Sequence, residues 1–318
     1  MAPNKYYDRN YSIELLRFIA ATLIVFVHIP IIGIGSFGVD IFFIISGFVM
    51  MLSTEKSSKN FFLKRVIRIV PLYYISTIGV FIIALIEPSV LNNTTTDIFL
   101  LIKSFLFIPF EKNDTGHYPV LFVGWTLNYE MYFYLLFAIA LKINIKHRDI
   151  LATLLLSGVY LLTQKESSLP LSAYGSNIVF EFVLGIIIFR VFISKEYFKA
   201  LISLSIIGIS LFIKDDFYGR FYELGIGSAL FFILVINLLS TVRLPQLVVT
   251  LGGYSYALYL THFYIIQSFV KLLNWFSMTI YHQISALIIS LLLVNLISFI
   301  VWRLLEIPLT TFLRNKIN

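Results

Sequence analysis

The chain has 318 residues, of which 59% are hydrophobic and 13% are charged, and its mean hydropathy is +0.90. A water-soluble globule of this size cannot bury so much apolar surface, so the composition predicts a polytopic membrane protein and excludes an ordinary soluble enzyme. The net charge of +7 is explained by membrane topology, and nucleic acid is not expected as a partner. Because the sequence contains no cysteine, disulfides, thiolate catalysis and cysteine-ligated metals are excluded.

Continuous apolar segments predict an all-α fold of about ten transmembrane helices. The segments lie at about 12–32, 38–53, 67–87, 124–141, 149–163, 176–193, 199–213, 221–240, 246–270 and 284–304. The first is expected to be a retained helix, because its apolar run is too long for a signal peptide and no small-residue cleavage site follows. No polar stretch is long enough for a soluble module, so residues 1–318 are predicted to form a single transmembrane domain.

An eleventh apolar run, 97–110, is short, contains Lys103 and ends at Pro109. If this run does not cross the membrane, 18 of the 24 lysines and arginines fall on alternate connections; if it crosses, that bias largely vanishes. The positive-inside rule therefore predicts ten spans with both termini cytoplasmic, in the inner (plasma) membrane. The run 97–110 is interpreted as a re-entrant or interfacial segment on the outer side.

The first apolar segment contains two ionisable residues, Arg17 and His28, eleven positions apart. A continuous helix would place both side chains on nearly the same face, about 16 Å apart along the axis. His28 alone is equally well explained as an interhelical hydrogen-bonding residue. Ionisable residues inside a membrane are costly and usually mark a pathway or a site, so the pair favours a functional interpretation.

The second and fourth segments add further polar residues. Asp40 begins the second segment on the same side as His28, where it either stabilises a helix N-terminus or orients His28 as a base. Ser46 lies deeper, where small residues commonly permit close helix packing. Glu130 has no lysine or arginine beside it in sequence, which favours proton handling or hydroxyl binding over a structural ion pair.

A basic cluster, Lys64, Arg65 and Arg68, lies at the predicted cytoplasmic entry of the third segment. Composition alone favours anchoring of the cluster to lipid headgroups, but Arg65 and Arg68 share a helix face and suit a pyrophosphate or a 3′-phosphate. His262 falls near mid-membrane in the ninth segment, as either a satisfied interhelical residue or a site residue. Three further histidines are expected in loops: His117, His147 and His282. Nothing groups them at metal-ligand spacing, so no metal site is predicted.

Taken together, these motifs resemble the acyltransferase 3 family of integral-membrane O-acyltransferases, in particular bacterial exopolysaccharide and capsule O-acetyltransferases. The matching features are the Arg17-to-His28 spacing, GVDIFFIISGF at 38–48, FFLKRVIRIVPLYY at 61–74, GWTLNYEMYFYLL at 124–136, YSYALYLTHF at 254–263 and RLLEIP at 303–308. They occur in order over nearly the whole chain. Lys64 departs from the family pattern, in which arginine is frequent at that position.

The resemblance implies transfer of an acetyl group from cytoplasmic acetyl-CoA to a sugar hydroxyl of a surface polysaccharide or its lipid-linked precursor, with no permanently bound cofactor. The predicted catalytic residues are His28 as base, with Asp40 or Glu130 as its orienting or proton-accepting carboxylate. The residues predicted to hold acetyl-CoA or to line its route are Arg17, Lys64, Arg65 and Arg68. The residues predicted to contact the substrate are Ser46, Trp125 and His262.

Two mechanistic routes remain open in the sequence. Either the pantetheine arm reaches His28 inside the bundle, or an acyl-enzyme on His28 or Ser46 relays the group. The alternative function is a transporter or flippase for a lipid-linked sugar or anionic substrate, with Arg17, His28 and Glu130 lining its pathway. The sequence disfavours that function, because it shows no internal repeat and no matching pair of broken helices.

Overall fold

The fold is described by a computed structural model for residues 11–30, 32–87, 91, 94–111, 118–163, 170–214, 218–239, 242, 245–272 and 279–317. Of these residues 83% are helical, and none of them forms a strand. The predicted all-α class is thus confirmed for this part of the chain. The loop position predicted for His117 lies outside the described residues, and the one predicted for His282 is wrong, because His282 lies in the helix Ile280–Val301.

The helices of the described residues follow one another along the chain with short connections. In chain order they are α1 (Tyr11–Val27), α2 (Gly38–Lys56), α3 (Phe61–Ile86), α4 (Ile98–Phe105), α5 (Trp125–Ile143), α6 (Arg148–Leu162), α7 (Leu171–Tyr174), α8 (Phe180–Phe192), α9 (Tyr197–Lys214), α10 (Ile226–Leu239), α11 (Gln246–Gly253), α12 (Ser255–Leu272), α13 (Ile280–Val301) and α14 (Ile307–Asn315). Short 3₁₀ turns occur at Phe122–Gly124, Ile145–His147 and Asn177–Val179, and π-helical turns at Phe221–Gly225 and Trp302–Glu306.

Five helical stretches among the described residues are long and apolar enough to cross a membrane. They are Gly38–Glu55, Phe61–Ile86, Tyr197–Lys214, Phe221–Leu239 and His282–Asn315. Protein buries 72% of the first stretch but only 22% of an 18-residue apolar part of the last, so α2 is largely buried while the last stretch exposes apolar surface suited to lipid. The chain is therefore a helical membrane protein. Its predicted ten crossings and the side of its termini stay predictions.

The first helix is shorter than its apolar run. It ends at Val27, and the backbone N–H of His28 donates to the carbonyl oxygen of Val25 at 3.1 Å in a closing turn. Pro30 explains this end, because proline disfavours helical backbone in the residue before it. The continuous helix assumed for Arg17 and His28 therefore ends one residue before His28, and their position on one face stays a prediction.

Two other predicted segments also differ from the structure. The segment 246–270 is two helices, α11 and α12, which are separated at Tyr254. Gly252 packs directly on backbone there, since a Cβ at Gly252 would come within 2.4 Å of the carbonyl oxygen of Glu14. The run 97–110 contains only the eight-residue α4, which rises about 12 Å and is shorter than the hydrocarbon core of a bilayer. Its re-entrant or interfacial placement stays a prediction.

The helices group into two compact units. The first comprises the described residues up to Ile24, together with Ser36–Phe61 and Tyr132–Ser255. The second comprises the described parts of Val25–Gly35, Phe62–Met131 and Tyr256–Asn318. Each unit is therefore assembled from three separate stretches of the chain.

A close crossing of α2 and α8 organises the first unit. A Cβ at Gly47 would lie 1.9 Å from the carbonyl oxygen of Phe182, and one at Gly185 would lie 2.1 Å from that of Ile44. The two helices therefore meet backbone to backbone, which the small side chains permit. The rings of Phe43 and Phe182 pack beside the crossing, with their centroids 4.6 Å apart.

Buried ion pairs connect α6 to the C-terminal ends of α2 and α8. Arg148 pairs with Glu55, and its Nε donates to the hydroxyl of Thr54 at 2.9 Å. Nε of Arg190 donates to the buried carboxylate of Asp149 at 2.6 Å, and Arg190 also pairs with Glu196. Because α6 begins where α2 and α8 end, α6 runs antiparallel to both of them.

Hydroxyl groups tie the helices of the second unit together. The hydroxyl of Tyr73 on α3 donates to the carbonyl oxygen of Ser104 on α4 at 3.1 Å. The hydroxyls of Thr261 on α12 and Ser298 on α13 lie 2.9 Å apart. Polar groups facing neighbouring helices are satisfied in this way where no water is available.

The α2–α8 crossing predicts the effect of one added methyl group. Gly47→Ala should lower the stability by about 1–3 kcal/mol, because the new Cβ must push the two backbones apart. Gly208→Ala on α9 is the matched control, since nothing lies within 4 Å of its Cβ position and alanine favours a helix by up to about 1 kcal/mol. Thermal unfolding of both variants in detergent should show a lower midpoint for Gly47→Ala only. Equal midpoints would contradict the close crossing.

Candidate active site

Two histidines of the second unit form a hydrogen-bonded pair. His28 lies just after α1, and His262 lies on α12. Nδ1 of His28 and Nε2 of His262 are 3.2 Å apart. Nδ1 of His262 faces the carbonyl oxygens of Leu258 at 3.1 Å and Tyr259 at 2.7 Å. Since His262 is fully buried and His28 is partly exposed, His262 is the inner member of the pair.

This hydrogen-bond network assigns the tautomers of the two neutral rings. Carbonyl oxygens only accept, so Nδ1 of His262 carries the proton and Nε2 of His262 carries a lone pair. That lone pair forms a hydrogen bond with His28 only when Nδ1 of His28 is the donor. Nε2 of His28 then carries a lone pair, which is the form of imidazole that accepts a proton.

Aromatic rings orient the imidazole of His28. The ring of Phe263 lies nearly perpendicular to it at a centroid distance of 5.0 Å, and the ring of Phe122 does so at 6.1 Å. These two phenyl rings stack on each other at 4.5 Å. The backbone N–H of Phe122 donates to the hydroxyl of Tyr264 at 2.9 Å. Packing and the hydrogen bond to His262 together limit how far the imidazole can rotate.

The turn that carries Phe122 is itself held in place. The hydroxyl of Tyr259 lies 2.6 Å from that of Thr126 and donates to the carbonyl oxygen of Val123 at 2.5 Å. Gly124 lies against Tyr73, since a Cβ at Gly124 would come within 2.8 Å of its ring. The glycine of the GWTLNYE motif is thus explained by this close contact.

A second polar cluster of the same unit surrounds Tyr256. Its hydroxyl donates to the carbonyl oxygen of Ile69 at 2.8 Å. Glu306, Glu130 and Arg68 all act on it electrostatically. A predicted catalytic carboxylate, Glu130, and a predicted cofactor-binding residue, Arg68, therefore act on the same tyrosine.

Asp40 lies in the first unit and is clamped by an arginine. Nε of Arg220 donates to one oxygen of the fully buried carboxylate at 2.9 Å, and Nη2 donates to the other at 2.6 Å. Nη2 of Arg220 also donates to the carbonyl oxygen of Ser36 at 2.6 Å. Glu181, which is also fully buried, lies beside this pair. Both oxygens of Asp40 are thus engaged by Arg220, while the His28 ring is bonded to His262.

The remaining predicted site residues are distributed over both units. Arg17 pairs with Glu14 at 3.2 Å in the first unit, where Ser46 is buried on α2. Lys64 is exposed and Arg65 is partly buried, and both lie in the first turns of α3 rather than in a connection.

Trp125 begins α5 and packs edge-on against Tyr129 at 6.1 Å. Within the described residues, no three His, Asp or Glu side chains are grouped so as to hold a metal ion.

Comparison with known proteins decides the family. The acyltransferase 3 family, whose description is "Acyltransferase domain", matches residues 10–303. The chain belongs to the acyltransferase 3 family. It is 30% identical to the exopolysaccharide production protein ExoZ of Rhizobium meliloti over 261 residues, which cover 75% of this chain and 78% of ExoZ.

This acyltransferase has a more distant relative in a virus. It is 28% identical to ORF330 of Acidianus two-tailed virus, which is provisionally named an acetyltransferase, over 54% of this chain and 58% of that protein. No solved structure matches the chain significantly. Family membership makes the chain an enzyme that transfers acyl groups and favours this function over the alternative of a transporter or flippase.

Several polar residues of this acyltransferase were not singled out by its sequence. Arg220 and Glu181 lie 180 and 141 positions from Asp40 in the sequence but interact with it in the structure. No local sequence pattern predicts such contacts. Arg314 on α14 interacts electrostatically with Arg68 and Glu306. In the sequence, Arg314 shows only as a basic residue near the C-terminal end of a helix. Lysine and arginine are common there because they interact favourably with the helix dipole.

The Asp40 clamp predicts a charge-dependent rescue. Arg220→Gln should destabilise the protein by at most about 3–5 kcal/mol, because it leaves the carboxylate of Asp40 buried without its cation. Adding Asp40→Asn in the same chain should restore most of that loss, since both charges are then gone. Thermal unfolding of the two single variants and the double variant gives the coupling. Additive losses would show that the two side chains do not interact.

Proposed function

We propose that this acyltransferase is an O-acetyltransferase, with His28 as the base that deprotonates the acceptor hydroxyl. The acetyl group would come from cytoplasmic acetyl-CoA, and the acceptor would be a hydroxyl of a cell-surface polysaccharide or of its lipid-linked precursor. The observation that carries the proposal is the hydrogen bond from His28 to a histidine whose own proton is fixed by two carbonyl oxygens. That arrangement supports a lone pair on Nε2 of His28.

The proposed reaction needs one proton acceptor that later becomes a proton donor. Nε2 of His28 takes the proton of the sugar hydroxyl while the hydroxyl oxygen attacks the thioester carbonyl. The carbon–sulfur bond then breaks, and the departing thiolate of CoA takes the proton back from Nε2. The imidazolium formed in between is stabilised through Nδ1 by the lone pair of His262, which acts as a positioning residue.

The carboxylates keep separate roles in the proposal. An imidazolium is stabilised more by a carboxylate than by a neutral ring, so Asp40 and Glu130 remain proposed partners in catalysis. Glu130 is the better candidate for proton handling, because the oxygens of Asp40 are already bonded to Arg220. Ser46, Trp125 and His262 are proposed to lie near the substrate. The proposed transfer is direct and requires no acyl-enzyme.

Basic residues at the start of α3 are proposed to bind acetyl-CoA. Guanidinium groups of Arg65 and Arg68 suit the phosphates of CoA, and Lys64 adds a point charge at the surface. Arg17 is proposed to line the route of the donor. Acetyl-CoA is a substrate in this scheme and not a permanently bound cofactor.

The proposed setting is a single transmembrane domain with ten crossings and both termini in the cytoplasm. The asymmetry of lysine and arginine between alternate connections supports this topology. In that topology the basic cluster faces cytoplasmic acetyl-CoA, the protein lies in the inner (plasma) membrane, and 97–110 is a re-entrant or interfacial segment. The similarity to a protein named for exopolysaccharide production supports a surface glycan as the acceptor.

Loss of the base should remove activity without unfolding the protein. We expect His28→Ala to lower the rate of acetyl transfer about 10²–10⁴-fold, the usual contribution of a general base. His282→Ala is the matched control, since His282 is exposed in the same unit. The measurement is transfer of labelled acetyl from acetyl-CoA to glycan by purified protein in liposomes, with folding checked by thermal unfolding. Full activity in folded His28→Ala protein would refute the role of this residue.

The donor site makes a separate prediction. Replacing both Arg65 and Arg68 with alanine should weaken binding of acetyl-CoA at least about tenfold, because charge-assisted hydrogen bonds contribute about 1.5–3 kcal/mol each. Added salt should weaken binding by the native protein more than by this variant. Arg303→Ala, which removes an exposed arginine, is the control. Unchanged affinity in the double variant would instead assign the cluster to lipid headgroups.

A further inference from the structure

Two buried carboxyl groups share one cation in the first unit. Asp40 lies in the first turn of α2, and Glu181 lies in the first turn of α8. Both side chains are fully buried, with 0% of their surface exposed. Arg220 donates to both oxygens of Asp40, and 27% of the Arg220 side chain is exposed.

Glu181 lacks a donor within the described part of the chain. Neither of its carboxyl oxygens has a hydrogen-bond partner among those residues. Its carboxyl group nevertheless lies within hydrogen-bonding reach of that of Asp40. Ionised carboxylates only accept hydrogen bonds, so a bond between these two groups requires a proton on one of them.

The described residues around Glu181 offer no second cation. The charged groups that act on it are Asp40 on α2 and Arg220 before α10. The π-helical turn brings Gly225 against it, since a Cβ at Gly225 would lie 3.0 Å from its Cγ. Glu223 on the same turn is exposed. With both carboxyl groups ionised, this buried site would therefore hold one uncompensated negative charge.

Two effects act on that charge in opposite directions. The N-terminal ends of α2 and α8 favour negative charge through their helix dipoles. That gain is small compared with the cost of burying an unpaired carboxylate. Binding one proton removes the excess charge and supplies the missing donor, so the proton-bound arrangement is the stable one.

We propose that Asp40 and Glu181 form a buried proton-binding site, in which one proton lies between the two carboxyl groups and Arg220 neutralises the remaining charge. The proton holds the N-terminal ends of α2 and α8 together while Arg220 joins α2 to the start of α10. Arg220 is the partly exposed member of the cluster, with 27% of its side-chain surface accessible. Loss of the proton would make the two carboxylates repel each other and compete for Arg220.

Infrared spectroscopy of the full-length protein in liposomes tests this site. The native protein should show the C=O band of a protonated carboxylic acid at neutral pH, and the band should shift in heavy water. Glu181→Gln should lose this band and stay folded, because the amide replaces the protonated acid at the same size. Glu223→Gln, which changes the exposed glutamate nearby, should keep it.

A second variant keeps the test decisive if Glu181→Gln does not fold. Asp40→Asn should also lose the band, since Arg220 would then neutralise the one remaining carboxylate. Absence of the band in the native protein would overturn the proposal, and so would its persistence in folded Glu181→Gln or Asp40→Asn protein. Acetyl transfer is not the readout, so the outcome is independent of the function proposed for His28.

Discussion

The hydrogen bonds from Nδ1 of His262 to the carbonyl oxygens of Leu258 and Tyr259 set the chemistry of the site. They place a proton on Nδ1 of His262 and leave a lone pair on its Nε2. Because that lone pair accepts a hydrogen bond from Nδ1 of His28, His28 has the same tautomer. A buried histidine usually only forms hydrogen bonds within its own helix. In the proposed mechanism, that ordinary role gives His28 a defined direction for proton transfer.

Burial governs the other polar residues in the same way. A charge removed from water needs a partner, and the first unit supplies Arg220 for Asp40, Arg190 for Asp149 and Glu55 for Arg148. Among the described residues of that unit, Glu181 is buried without a hydrogen-bond donor, which is the basis of the proposed bound proton. In the second unit, Arg68, Glu130 and Glu306 act electrostatically on one tyrosine, although they are far apart in sequence.

Sequence patterns predicted the helical class and most helix positions, because continuous apolar runs are a strong signal. They failed where a local or tertiary effect interrupts such a run. Pro30 ends α1 before His28, and the packing of Gly252 on Glu14 accompanies the break between α11 and α12. His262 was recognised as a candidate, but its bond to His28 joins residues 234 positions apart, and no periodicity encodes that contact. Separations of 180 and 141 positions likewise concealed the relation of Arg220 and Glu181 to Asp40.

The most direct test concerns the tautomer of His28. Nitrogen-15 NMR of histidine-labelled protein, at a pH where both rings are neutral, reports which imidazole nitrogen carries the proton. The signals of His28 and His262 can be assigned by replacing each residue in turn with glutamine. The proposed mechanism predicts a protonated Nδ1 and an unprotonated Nε2 in His28, and the same in His262. A proton on Nε2 of His28 would contradict its role as the base.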